Sequence, residues 1–157
     1  MTTQSIATCL WFDHQAEEAA NFYVSIFNNS KIEKILRYGK EGFDIHGGKA
    51  GTVMTVSFQL EGKPFTALNG GPLFKFTEAI SFQKCCDTQE EIDYYWGKLG
   101  EGGTTSSCGW LKDKYGVSWQ VTPAILPALL ADPVKSASVT RAFLQMKKFD
   151  LATLQNA

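Results

Sequence analysis

The side chains best suited to chemistry in this chain alternate with apolar residues along predicted strands. Val117, Trp119 and Val121 are apolar, so Ser118 and Gln120 project from the opposite face of a strand. An amide donates and accepts hydrogen bonds, which suits Gln120 to hold a substrate, although a solvated amide shows the same pattern. Gln120 is therefore a candidate catalytic and substrate-binding residue, and Ser118 is a candidate substrate-binding residue.

A second group of polar side chains lies on other predicted strands. Hydroxyls and amides on one face of a sheet can line a binding cleft, or they can face water on the wet side of an antiparallel sheet. Two tryptophans offer aromatic area with a polar N–H group, which suits a planar ligand, although buried packing residues look the same in sequence. The candidate substrate-binding residues of these kinds are Thr8, Thr55, Ser57, Gln59, Asn69, Ser81, Gln83, Trp11 and Trp110.

Two residues could transfer protons. His46 lies in the segment 39–51, whose five glycines predict a mobile loop, and a loop that closes over substrate often completes a site. A solvated loop histidine is the alternative. Asp13 could be a general base at the rim of a cleft, or it could cap the helix that follows it. Cys108 has no neighbouring histidine and only Lys112 to stabilise a thiolate, which argues against a nucleophilic cysteine.

Two similar halves of the chain must position these residues. Residues 6–23 and 79–96 each read as an apolar strand, a polar turn and a helix with paired glutamates, which are Glu17-Glu18 and Glu90-Glu91. Two copies of a repeat this long are too few for a solenoid, and they predict two similar modules that share one sheet or barrel. We therefore expect the functional site where the modules meet.

Hydrophobic periodicity and turn residues predict the same order of elements in both halves. A capping-box pattern, Asp87 to Glu90, opens the second helix, and Asp132-Pro133 opens a helix near the C-terminus. The predicted strands are 5–12, 31–38, 52–61 and 64–69 in the first half, and 79–86, 107–112 and 117–122 in the second, with a weaker one at 104–106.

The predicted fold is α+β. Paired βαβββ modules form an open mixed-sheet barrel, and a helical extension follows. We expect the first module in residues 1–76, the second in 77–123 and the extension in 124–157 of a single domain. A chain of 157 residues with 44% hydrophobic residues can bury a core of this kind.

Charge and cysteine content narrow the classes of partner. The formal net charge is −1 and no basic run occurs, so nucleic acid and anionic membranes are not expected partners. The N-terminus lacks the pattern of a signal peptide, and no stretch approaches the about 20 apolar residues of a membrane span, which predicts a cytoplasmic protein. The four cysteines lack CxxC spacing and are expected to be reduced.

Three stretches carry a resemblance to a known family: LNGGPLFKF at 68–76, CDTQEEIDYYW at 86–96 and CGWLKDKYGVSWQVTP at 108–123. With the paired modules, they resemble the PhnB-like branch of the vicinal oxygen chelate superfamily, a branch often labelled 3-demethylubiquinone-9 3-methyltransferase. The resemblance covers residues 5–122. It implies a glyoxalase-like fold and a homodimer.

The resemblance also implies where a metal would bind. Metal-using relatives place His or Gln on the first strand of each module and Glu on later strands. The matching positions here are Thr8, Ser81 or Ala79, Gln120, and Phe58 or Gln59. Neutral hydroxyls and amides are weak ligands for a divalent transition ion, so we expect no catalytic metal, with a non-standard metal site as the alternative.

Three functions fit these observations. The first is a module that binds a small polar or planar organic molecule without metal. The second is an enzyme of the lyase, isomerase or dioxygenase kind, which uses a non-standard metal site or acid–base chemistry with Gln120, His46 or Asp13. The third is a partner-binding protein that uses its last helix. A methyltransferase is disfavoured because no glycine-rich turn follows a strand and opens a helix.

Overall fold

The computed structural model describes residues 6–157. The chain divides into two compact units, Met1–Lys75 and Phe76–Ala157. The elements of the first unit are β1 (Thr8–Phe12), α1 (Ala16–Ile26), β2 (Lys31–Arg37), α2 (Phe43–His46), β3 (Val53–Leu60) and β4 (Lys63–Asn69). Those of the second unit are β5 (Phe82–Cys86), α3 (Gln89–Gly100), β6 (Thr104–Thr105), β7 (Trp110–Lys112), β8 (Ser118–Pro123), α4 (Leu126–Ala131), α5 (Ser136–Phe143) and α6 (Leu151–Gln155).

The first unit is an open four-stranded mixed sheet with one helix-covered face. The strand order is β1-β4-β3-β2, in which β1 and β4 are parallel and the other pairs are antiparallel. Helix α1 packs on β3 and β4 through Ala19, Ala20 and Tyr23, which are fully buried. Strand β3 alternates, with Val56 and Phe58 buried and the residues between them half-buried on the other face.

The second unit repeats this arrangement in the order β5-β8-β7-β6, again with one parallel pair, β5 and β8. Helix α3 buries Ile92, Tyr95 and Leu99 and contacts β5, β7 and β8. Trp119 and Val121 of β8 are buried, whereas Gln120 between them is half-buried. Helices α4, α5 and α6 follow the second sheet, as the predicted helical extension requires.

The predicted α+β architecture of paired βαβββ modules is confirmed, and both sheets are open. The predicted capping box is one residue too early, because the Thr88 hydroxyl accepts from the Glu91 amide and the Glu91 carboxylate accepts from the Thr88 amide. Helix α5 begins at Ser136, later than predicted, because Asp132 caps the preceding turn through the amide of Val134.

Other boundaries also differ from the predicted ones. Strand β5 begins at residue 82 and β7 at residue 110, both about three residues later than expected, and the weakly signalled strand exists as β6. The glycine-rich segment 39–51, predicted as a mobile loop, contains the short helix α2. The predicted start of the first strand, residue 5, lies outside the described residues. Among residues 6–157 no helix is long and apolar enough to cross a membrane.

The connections between the first strand and the helix of each unit differ in length. Residues 13–15 connect β1 to α1, whereas residues 87–88 connect β5 to α3. Thr8 pairs with Phe65 and Phe82 pairs with Trp119 in the equivalent parallel ladders, so the strands correspond with an offset of 74. The helices, which start at Ala16 and Gln89, correspond with an offset of 73.

Candidate functional site

The helix-free face of the second sheet carries the largest group of predicted site residues. Residues directly opposite each other on paired strands share a face. One row runs across three strands as Gln83, Gln120 and Trp110, and the next row holds Ser118 and Lys112, followed by Thr104 on β6. The alternation of β8 therefore placed Ser118 and Gln120 on the correct face.

A cavity of about 550 Å³ opens on this face, and we call it the sheet cleft. Its lining combines hydroxyl groups, one aromatic ring and one pair of opposite charges. The residues are Glu78, Thr104, Thr105, Ser106, Trp110, Leu111, Lys112 and Ser118. A concave site with a few convergent polar groups and an aromatic wall is the usual form of a small-molecule pocket.

The charged pair of the sheet cleft is formed by Lys112 and Glu78. The Lys112 ammonium lies 2.5 Å from a carboxylate oxygen of Glu78. The hydrogen bond from Lys112, together with its positive charge, holds the pKa of Glu78 below its usual range. Both side chains are substantially exposed, so the pair contributes little to stability.

The Ser118 hydroxyl is a polar group with no hydrogen-bond partner among the residues that the structure describes. Ser118 is only 2% exposed, and it lines the sheet cleft directly opposite Lys112 in the ladder. An unsatisfied buried hydroxyl costs about 1–3 kcal/mol, and native proteins keep few of them. A ligand oxygen or an ordered water in the cleft would satisfy it.

Beside the sheet cleft, three predicted residues form an amide–hydroxyl chain. The Gln120 amide donates to the Ser81 hydroxyl at 2.8 Å, and the Gln83 amide lies 3.5 Å from the Gln120 carbonyl oxygen. These two contacts hold the side-chain amide of Gln120 in one orientation. The structure therefore brings Gln83, Trp110, Ser118 and Gln120 to one face of this unit, with Ser81 joined to them by its hydrogen bond to Gln120.

The first unit has a separate cleft of about 580 Å³ at the end of its sheet, which we call the loop cleft. Asp13, His46 and Asn69, three of the predicted residues, line it together with His14, Tyr38 and Lys49. The Asn69 amide group accepts from the first amide of α1, that of Ala16, and donates to the Val53 carbonyl. Asn69 thus links the helix start to the sheet.

His46 has both ring nitrogens engaged within its own loop. Nδ1 accepts from the Gly48 amide at 2.9 Å, which leaves Nε2 as the protonated nitrogen that donates to the Glu41 carbonyl at 3.0 Å. The ring also stacks on Tyr38 at 4.5 Å. His46 therefore organises the 39–51 segment, and a proton transfer by His46 requires one of these bonds to break.

Asp13 and Trp11 also take part in local structure. The Asp13 carboxylate lies 3.5 Å from the ring of His14, and both side chains are exposed. The Trp11 indole donates to the Gly71 carbonyl at 2.8 Å, packs against Gly70 and contacts Phe74 edge-on. Trp11 thereby anchors the segment that follows β4.

Strand pairing corrects the predicted position of Thr8. Thr8 is opposite Phe65, which is buried and stacks on Phe58, so Thr8 lies on the helix-covered side of the sheet. Cys9, which is the strand counterpart of Gln83, lies on the helix-free face. The prediction failed because the repeat was aligned through the helices, and the strand offset differs by one residue.

The remaining predicted residues of the first unit are Thr55, Ser57 and Gln59, which lie on the helix-free face of β3. The Gln59 amide donates to the Glu33 carboxylate at 2.7 Å. By strand pairing, Ser57 and Gln59 correspond to Trp110 and Lys112 of the second unit. The first sheet therefore carries no counterpart of the lysine or of the large aromatic ring.

A comparison with known protein families shows which family the chain belongs to. The model of the family described as 3-demethylubiquinone-9 3-methyltransferase matches residues 4–122. The chain belongs to this family. No functionally curated protein matches the sequence.

Solved structures show the same family and fold. A Bacillus cereus protein described as a 3-demethylubiquinone-9 3-methyltransferase, PhnB protein, is 42% identical, with a TM-score of 0.68, covering 77% of this chain and 100% of its own. PA1353 from Pseudomonas aeruginosa, 19% identical over 77% of this chain and 98% of its own, has a TM-score of 0.61. The fosfomycin resistance protein FosX from Mesorhizobium loti is 13% identical over 84% and 100%, with a TM-score of 0.57. This fold is that of the vicinal oxygen chelate superfamily.

The methyltransferase in the family's description is a label, and no specific activity follows from these matches. A nucleotide-type cofactor is held by a glycine-rich turn between a strand and a helix. The connections into the two long helices of this family member are Asp13-His14-Gln15 and Asp87-Thr88, which contain no glycine. The chain lacks that cradle at both helices.

The residues also fit poorly to the metal that the superfamily implies. The helix-free faces of the sheets hold Cys9 in the first unit, and Gln83, Gln120 and Lys112 in the second. Amides are weak ligands, and the ammonium of Lys112 repels a cation. Within residues 6–157, no group of three or more His, Cys, Asp and Glu side chains could hold a metal ion.

Sequence reasoning missed the charged part of the sheet cleft. Lys112 was considered only as a neighbour of Cys108, which instead packs against the segment after α5 by donating its amide to Met146. Glu78 was not considered at all. The signal available was the alternation of β7, since Trp110 and Lys112 are two residues apart and must share a face.

Proposed function

We propose that this protein binds a small polar organic molecule with a planar part in the sheet cleft of its second unit. The observation that carries the proposal is the buried Ser118 hydroxyl, which lines the cleft without a partner. Trp110 supplies a flat apolar wall, and the hydroxyl of Thr104, which is paired with Lys112, adds a further donor and acceptor.

The geometry explains how such a site would select its ligand. The planar part would lie against the Trp110 ring, and the polar part would reach Ser118 and Lys112. Trp110 and Lys112 lie two residues apart on β7, so the aromatic and polar contacts are separated by about 7 Å. Gln120, held by Ser81, gives an oriented amide in the row beside them.

Ser118→Ala tests this proposal because it separates binding from stability. We expect the variant to be as stable as the wild type or more stable by about 1 kcal/mol, since it removes an unsatisfied buried hydroxyl. A binding hydroxyl predicts weaker ligand affinity in the same variant. Ser138→Ala is the control outside the cleft, because the Ser138 hydroxyl is part-buried and already donates to the Lys135 carbonyl.

Native mass spectrometry of gently purified protein, followed by two-dimensional amide NMR with a fragment library, supplies the ligand for this comparison. Bound fragments that shift the amides of Trp110, Lys112 and Ser118 support the sheet cleft. Ligands that bind elsewhere and leave these signals unchanged would refute it. A Ser118→Ala variant that loses stability and keeps full affinity would assign the hydroxyl to structure alone.

A second candidate is an acid–base enzyme that uses the loop cleft. The observation in its favour is that Asp13 and His46, both proposed as catalytic, line one cavity with Tyr38. The bonds from His46 to Gly48 and Glu41 oppose it, so we place it second. His46→Gln would abolish turnover of any substrate found for that cleft if His46 transfers a proton.

We also propose that the protein is a cytoplasmic homodimer. The homodimer follows from the family resemblance and fits the exposed apolar side chains of Leu73 and Ile80, which are 74% and 76% exposed. The reducing compartment fits four free cysteines. Sedimentation equilibrium tests the dimer, since a monomer at micromolar concentration would contradict it.

A further inference from the structure

We propose that the ligand of the sheet cleft carries a carboxylate bound by Lys112 and Ser118, and that Glu78 occupies this anion site in the free protein as an internal competitor. The inference rests on the proposed binding function of the cleft. It adds the chemical class of the ligand and a mechanism that sets its affinity.

Charge and hydrogen-bond capacity of the cleft favour an anion. Lys112 is the only cation among the residues that line it, and an ammonium group offers three donors. Ser118 adds a hydroxyl donor directly opposite Lys112 on the neighbouring strand. A carboxylate accepts from both groups, and charge-assisted bonds of this kind are about twice as strong as neutral ones.

Glu78 shows that an oxyanion fits beside Lys112. Its carboxylate lies 2.5 Å from the ammonium and is itself part of the cleft lining. The Ser118 hydroxyl is still without a partner, so the Glu78 carboxylate satisfies only part of the site. A ligand carboxylate that reaches both groups would make one more hydrogen bond than Glu78 makes.

Glu78 is also easy to displace. It lies in a turn before β5, outside the regular elements, and its side chain is 64% exposed. Exposed ion pairs favour the paired form by factors of only about 1 to 5. Because the ligand must compete with the paired form, its apparent Kd is raised by about two- to sixfold, which is the gain expected when the competitor is removed.

The test is an NMR titration with benzoate as probe and benzamide as its neutral isostere. Benzoate should shift the amides of Trp110, Lys112 and Ser118 in the wild type, and Glu78→Gln should lower its Kd about two- to sixfold. Lys112→Met should weaken benzoate binding by about tenfold or more. Asp93→Asn is the matched control, since it breaks the Lys148–Asp93 pair of equal length and similar exposure outside the cleft.

The outcomes separate this inference from the proposed function. Benzamide that binds the cleft as tightly as benzoate, unaffected by Lys112→Met, would leave the binding function intact and overturn the carboxylate. If the amide signals of the cleft respond to neither probe, the proposal that the ligand carries a carboxylate is also refuted. The binding function of the cleft is then tested separately with the fragment library. If Glu78→Gln binds benzoate with the same affinity as the wild type and Asp93→Asn, the proposal that Glu78 competes with the ligand is refuted.

Discussion

Gly103 offers a sharp test of how the strands that form the sheet cleft are packed. A Cβ atom added at this position would lie 2.1 Å from the Lys112 carbonyl oxygen and 2.9 Å from the Asp113 Cα atom. Carbon and oxygen normally approach to about 3.3 Å, so the substitution Gly103→Ala must move one backbone away from the other by about 1 Å. Neither partner is a flexible side chain.

The expected cost follows from this overlap. Overpacking by a single carbon costs about 1–3 kcal/mol, and one kcal/mol changes Tm by about 2–4 °C in a chain of this size. Gly103→Ala should therefore lower Tm by about 2–12 °C. It should also shift the amide signals of Thr104 and Lys112, since these residues are paired across β6 and β7.

Gly97→Ala is the matched control for Gly103→Ala. Gly97 lies in α3, is exposed, and its added Cβ would meet no atom within 4 Å. Alanine favours the helix by about 0.5–1 kcal/mol, so Tm should rise by about 1–4 °C. Calorimetry of both variants decides the matter. A Gly103→Ala protein that melts at or above the wild-type temperature would refute the close approach of residues 103 and 112.

Three further predictions concern the second unit. Asp113→Ala should lower the free energy of unfolding in urea by about 1.5–3 kcal/mol, because the buried carboxylate accepts hydrogen bonds from Trp119 and two backbone amides. An unchanged urea midpoint would contradict this. Thr88→Ala should lower the free energy of unfolding by about 1 kcal/mol, and Asp87→Ala should lower it much less. A larger loss in Asp87→Ala would show that Asp87, as predicted from the sequence, caps α3. The lowered pKa of Glu78 means that its stabilisation is complete above the ordinary glutamate pKa and is lost as pH falls through the folded pKa. In Lys112→Met, the carboxyl NMR titration should move to higher pH; an unmoved midpoint argues against the pair.

The order of elements could be predicted because it depends on local periodicity. Strand β3 alternates from Thr55 to Leu60, and α3 buries residues at helical spacing. The cap of α3 could not be assigned, because Asp87 with Glu90 and Thr88 with Glu91 match the capping-box pattern equally well. Only the hydrogen bonds of the folded helix distinguish them.

The sequence could predict which side chains share a face of the sheet when they lie on a single strand. The alternation of β8 placed Gln120 and Ser118 together, whereas the pairing of Lys112 with Glu78 joins residues 34 positions apart and depends on how the turn before β5 folds. The engagement of both His46 nitrogens depends on backbone geometry within the loop. Sequence patterns contain neither kind of information.

The extra residue between β1 and α1 limits what can be transferred from one half of the chain to the other. Aligning the halves through their helices matches each first-strand residue with one whose side chain points to the opposite face. Knowledge of residues in one half must therefore be carried over to the other half in two blocks, one for the strands and one for the helix. A histidine ligand at the position of Gln83 would be assigned by a helix-anchored alignment to Leu10, in the core, when its strand counterpart on the open face is Cys9.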